Sequence, residues 1–183
     1  MPKVLPPVLF ESDLPAAELI AAGLDGEMFR IGDGFAPVDQ ADDARHRARS
    51  IYGLIGSRFV GERRTAAWVH GATDRPPQPH EFCVDSTARY RMVRGSGIAV
   101  REVVLTPSEI VSFGDVRVTT PRRTALDLVR KEGVLLDADA HAIRRLALTG
   151  RFTITSLIDE FADRYRLPGK LAAMVKLREL QAG

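Results

Sequence analysis

The sequence predicts an α+β protein: a short helix-and-hairpin head, a central mainly antiparallel sheet, and a helical C-terminal part. Three observations predict it. Residues 80–119 are rich in β-branched and aromatic side chains, with turn residues at Gly95-Ser96-Gly97 and Gly114-Asp115. From Pro121 the chain reads as helical to its end, broken at Gly150 and Pro168-Gly169. Gly32-Asp33-Gly34 divides two short alternating runs, which is a hairpin signal.

The elements follow in order. Residues 1–12 are proline-rich and extended. Asp13-Leu14-Pro15 opens a helix, with Asp13 or Ser12 as its cap and Leu19, Ile20 and Leu24 as its apolar side. Glu27–Ile31 and Phe35–Val38 then form the hairpin. A helix followed by a hairpin is the second half of a winged helix-turn-helix, and the prolines ahead of it leave too little chain for the first half. Residues 1–39 therefore read as a truncated winged-helix-like segment, and residues 40–183 as a mixed domain.

In that domain Asp39–Ile55 is an amphipathic helix, with Arg45, His46, Arg47 and Arg49 opposite Ala48, Ile51, Tyr52 and Ile55. A short strand at Phe59-Val60-Gly61 leads to a helix at Arg64–His70, whose Ala66, Ala67, Trp68 and Val69 are mostly buried. Pro76, Pro77 and Pro79 stiffen the loop Asp74–Pro79. Strands are expected at His80–Val84, Tyr90–Val93, Ile98–Leu105, Ile110–Phe113 and Val116–Thr119. Helices are expected at 121–131, 137–149, 154–164 and 168–181. The first of these is the best specified. Thr120 is its cap and Pro121 fits the first helical position, where no backbone N–H is needed. Arg123 and Asp127 lie four apart on one face, as a structural ion pair.

Composition excludes several classes of function. A single cysteine, Cys83, rules out an internal disulfide framework, and its strand setting predicts a buried, inert thiol. No apolar run is long enough to cross a membrane, and the N-terminus lacks the pattern of a signal peptide, so a cytoplasmic protein without a membrane partner is expected. Phosphate-binding, dinucleotide-binding and Gly-x-Ser-x-Gly motifs are absent. His46, His70, His80 and His141 form no ligand spacing, although His70 and His80 could converge across the proline loop with Glu81 or Asp85. No catalytic residue, metal ligand or cofactor is assigned. The enzymatic alternative is a metal-dependent nucleic-acid hydrolase built on Glu81, Asp85, Glu102 and a histidine; no Glu-x-Lys or Asp-x-Lys triplet accompanies it.

The basic residues are the best functional candidates. Residues 1–43 hold nine acids and two bases, so the positive balance lies in the rest of the chain, mostly as arginine. Arg89, Arg91, Arg94 and Arg101 sit on or beside predicted strands, and the alternation of Arg89 and Arg91 points both to one face. Arg63 and Arg64 open one helix, Arg122 and Arg123 another. We take Arg64, Arg89, Arg91, Arg101, Arg122 and Arg123 as the expected contacts to nucleic acid or a protein partner. The competing reading is a solvated face with internal pairs to Asp85, Glu102 and Asp127. The head offers little for base reading: Ala16–Gly23 has no Arg, Lys, Asn or Gln, and the hairpin only Arg30.

The order of elements carries a family resemblance. The matching stretches begin with Leu24-Asp25-Gly26-Glu27 through Phe35-Ala36-Pro37-Val38-Asp39, then Arg64-Thr65-Ala66-Ala67-Trp68-Val69-His70-Gly71. Val100-Arg101-Glu102-Val103-Val104-Leu105 and Val118-Thr119-Thr120-Pro121-Arg122-Arg123-Thr124-Ala125-Leu126-Asp127-Leu128-Val129-Arg130 follow, with Leu167-Pro168-Gly169-Lys170 near the end. Together they resemble the actinobacterial branch of the AbiEi family, the antitoxins of type IV toxin–antitoxin systems, with a shortened winged-helix part. The resemblance implies an N-terminal winged helix that binds the operon promoter, and a C-terminal domain that neutralises a nucleotidyltransferase toxin. A solitary domain that kept only a protein-binding role is the milder alternative. The short, acidic head departs from the pattern and leaves the C-terminal body as the functional unit.

Overall fold

The computed structural model of the chain describes residues 6–54, 58–86, 97–163 and 168–182. Its class is α+β, as the sequence implies. Among the described residues seven α-helices and seven strands follow in the order α1 (Ala16–Leu24), β1 (Met28–Ile31), β2 (Gly34–Pro37), α2 (Ala44–Ser50), β3 (Val60–Gly61), α3 (Arg63–Val69), β4 (His80–Asp85), β5 (Ile98–Val103), β6 (Ile110–Phe113), β7 (Val116–Thr119), α4 (Pro121–Val129), α5 (Asp137–Gly150), α6 (Ile154–Asp163) and α7 (Lys170–Ala182). The expected strand at Tyr90–Val93, with Arg94, lies outside the described residues. None of the described helices is long and apolar enough to cross a membrane.

The main sheet has the order β5-β4-β3-β7-β6. It is more mixed than expected: β3–β4 and β6–β7 are antiparallel, β3–β7 and β4–β5 parallel. Only the β6–β7 pairing is a local hairpin. The short strand β3 enters between β4 and β7, a long-range pairing that no turn chemistry announces.

In the head, β1 and β2 form the expected hairpin, and Leu9 adds a bridge to Phe35 with reciprocal backbone bonds of 2.8 and 2.9 Å. Gly32 opens the two-residue turn at φ +54°, the position where a type II′ turn requires glycine. Asp13 does not cap α1. Its carboxylate accepts the Phe10 amide at 2.9 Å, one turn earlier, and Pro15 takes the cap position.

The helix expected over Asp39–Ile55 is shorter. Asp43 accepts the amides of Arg45 and His46, so α2 starts at Ala44, and the chain after Ser50 tightens into a 3-10 turn at Tyr52–Leu54. A short acidic side chain bonds neighbouring amides better as a cap than within a helix, which is why the acidic run is excluded.

Two apolar cores share α3. Ala66, Trp68 and Val69 join Phe82, Val84 and Val118 of the sheet with Ile31, Ala36 and Val8 of the head. Ala67 on the other side of the helix joins Leu128, Ile143, Leu146, Leu157, Phe161 and Leu177 of the C-terminal helices. The buried Lys176 of α7 donates to the carbonyls of Val129 and Lys131 at 3.2 and 2.6 Å, closing the C-terminal end of α4.

Candidate functional site

The most concentrated chemistry lies where β3, β4, β5 and α4 meet. Glu62, directly after β3, is 2% exposed, and Asp127 on α4 is 1% exposed. Arg101 on β5 joins them: its Nε donates to Glu62 Oε1 at 2.6 Å, and its Nη2 lies 3.2 Å from Asp127 Oδ1, out of line for a hydrogen bond. Asp127 also accepts from Arg123 Nε at 2.8 Å, and Arg123 reaches Glu109 at 2.8 Å and the Val104 carbonyl at 3.3 Å. Burial pushes the Glu62 carboxyl up, against the pull of the Arg101 guanidinium. Burial also pushes the neighbouring Cys83 thiol well up, which makes it the inert cysteine expected.

Local backbone holds this cluster together. The chain passes from β3 to α3 through Arg63 at φ +46°, a conformation that costs a non-glycine residue about 1 kcal/mol or more. The Glu62 amide bonds the Glu81 carbonyl at 3.0 Å, and the Arg64 amide bonds the Glu81 carboxylate at 3.0 Å. Strand pairing and helix start thus fix Arg63 from both sides.

The expected arginines fall into different places. Arg101 and Arg123 converge on Asp127. Arg64 is held by Asp139 of α5 in a bidentate pair at 2.7 and 2.8 Å. Arg122 points to α6, where Glu160 and Ser156 receive it at 2.8 to 3.1 Å. Arg89 and Arg91 lie outside the described residues. Among the described residues their internal partners include Glu62, Glu109, Asp127, Asp139 and Glu160, and Asp127 is one of the acids expected. Asp139 lies 75 residues from Arg64, and no local spacing points to it.

A second feature was not anticipated. A cleft of about 730 Å³ opens between the β1–β2 turn and the proline loop, with Trp68 and His80 at its base. His80 and His70 do not converge. His70 meets the Thr119 carbonyl at 2.8 Å and packs on Phe113, whereas His80 packs between Trp68 and Phe82. Desolvation lowers the pKa of both.

Residues 59–147 match the family model of the AbiEi antitoxin C-terminal domain. This part of the chain is similar to the AbiEi antitoxin C-terminal domain. No curated protein matches the chain. The matched stretch runs from β3 through most of α5, so Glu62, Arg64, Arg101, Arg123, Asp127 and Asp139 all lie within it. It supports an antitoxin-like role in a toxin–antitoxin system.

The acids of the hydrolase alternative are not brought together. Glu81 and Asp85 alternate onto one side of β4, but Glu102 pairs with Val84 and so faces the other way. Glu81 is engaged by Arg63 at 4.0 Å and Lys131 at 3.7 Å. Among the described residues no three His, Cys, Asp or Glu side chains stand as a ligand group.

Proposed function

We propose that this protein is an antitoxin-like regulator that acts by binding rather than catalysis, counteracting a nucleotidyltransferase-type toxin and binding nucleic acid, its own promoter included. The observation that carries this reading is the match of residues 59–147 to the AbiEi domain, a connected body in which ion pairs tie sheet to helices. Arg89 and Arg91 are its leading contacts in this proposal. Arg64, Arg101, Arg122 and Arg123 add positive potential while each is held by an acid of its own chain. The setting of such a regulator is the cytoplasm.

Two experiments test it. Co-expression with the toxin encoded beside it is expected to restore growth. Fluorescence anisotropy of the full chain, with the DNA upstream of its gene and a scrambled duplex, is expected to show salt-dependent binding that weakens in the Arg89→Ala/Arg91→Ala variant. A preference for the upstream sequence supports autoregulation; equal binding to both duplexes supports a nonspecific arginine surface. Failure to restore growth, together with no binding at low salt, rejects the proposal.

A further inference from the structure

The cleft between the hairpin turn and the proline loop has the chemistry of a small-molecule site. Its volume, about 730 Å³, lies within the range of pockets that enclose small ligands. Of its acids, Asp42 is taken by Arg47 in a two-pronged pair at 2.6 Å, and Asp74 by Arg145 at 3.4 Å. Its own cations, Arg30 on the hairpin and Arg75 on the loop, have no acidic partner among the described residues. Arg30 Nε donates a long hydrogen bond to the carbonyl of Gly32, at 3.5 Å.

His80 adds a directed donor. It is 5% exposed and lines the cleft. Thr65 Oγ1 accepts the Glu81 amide at 2.7 Å, so its own proton is free for His80 Nδ1 at 3.4 Å. That assignment leaves the proton of the neutral ring on Nε2. The nearest acidic oxygen, Asp33 Oδ2, is 3.9 Å away, beyond hydrogen-bond reach. The Nε2–H, with no acceptor among the described residues, thus belongs to a side chain that lines the cleft together with Arg30 and Arg75, and Trp68 and Ile31 supply apolar lining.

We infer that this cleft binds a mononucleotide, its phosphate between Arg30 and Arg75 and its base or sugar against the floor. Arginines on opposite walls suit a phosphate that accepts from both. The Asp33 carboxylate, which opposes a bare phosphate, accepts from a ribose hydroxyl or a base N–H. That contact separates a nucleotide from inorganic phosphate. The inference stands apart from the antitoxin reading, because the hairpin that forms one wall lies outside the matched domain.

Isothermal titration calorimetry of the full chain tests it, with AMP, GMP, CMP, UMP and inorganic phosphate as probes. At least one nucleotide is expected to bind below about 0.1 mM, and phosphate at least about tenfold more weakly. Arg30→Ala/Arg75→Ala changes exposed side chains only; it is expected to cost about tenfold or more in nucleotide affinity at unchanged melting temperature. Asp33→Asn is expected to narrow the gap between nucleotide and phosphate. No nucleotide binding up to about 1 mM overturns the inference. So does unchanged affinity in the folded double variant, and so does phosphate binding as tightly as the nucleotides, which would leave only an anion site.

Discussion

At the scale of single residues, Asp127 does the most. It is buried and faces Arg123 of its own helix and Arg101 of the edge strand. Glu62 offsets part of the charge of Arg101, but Arg123 has only Glu109 besides. Removing one member of a buried pair leaves a charge desolvated and unanswered, at a cost of about 3–5 kcal/mol. Asp127→Asn is therefore expected to lower the unfolding free energy by that amount, read as a lower urea midpoint with little change in slope. A loss under about 1 kcal/mol would mean that the cluster is not holding the sheet to α4. Asp74→Asn is the control: its pair with Arg145 lies in solvent, and the midpoint should stay in place.

At the scale of elements, legibility in the sequence follows the range of the signal. The boundaries of β6 and β7, the Thr120 cap of α4 and the Arg123–Asp127 pair depend on residues within four positions, and all are present as read. The start of α2 is also local, set by the cap at Asp43, but the helical periodicity of Asp39–Ile55 masks it. What could not be read depends on distant chain: the Asp139 partner of Arg64, the place of β3 between β4 and β7, and the cleft. The hairpin shows both cases. Its turn is legible, but not that its glycine seats against α2 and α3. A Cβ on Gly32 would stand 2.4 Å from Ser50 Oγ and 3.0 Å from the Trp68 ring, at a φ of +54°. Gly32→Ala is expected to cost about 1–3 kcal/mol and to alter the emission of Trp68, the single tryptophan. An unchanged melting temperature and spectrum would show that the hairpin does not rest on Trp68.

At the scale of the whole molecule, the charge arrangement predicts how stability depends on pH. His80 is buried and His70 half-buried, both with pKa lowered by desolvation, one at the base of the cleft and one against β7. Below the ordinary histidine value of about 6.5, the unfolded chain binds protons that the folded chain refuses, so stability falls as pH drops from there through the folded values. The lowered Asp42, Asp43 and Glu109 act in the same direction further down, losing their contribution as pH falls through their folded values. Glu62 opposes them. Its raised folded value means that its contribution is present at low pH and lost as pH rises through that value. The groups are separable by mutation. In His70→Gln/His80→Gln the loss between pH 7.5 and 5.5 is expected to shrink by up to about 1.4 kcal/mol per histidine per pH unit, whatever the baseline cost of the substitutions. Urea unfolding at both pH values reads this difference. A double variant with the parent's slope would place the acid sensitivity in the carboxylates, and the two histidines would then be as free to ionise in the folded protein as in the unfolded chain.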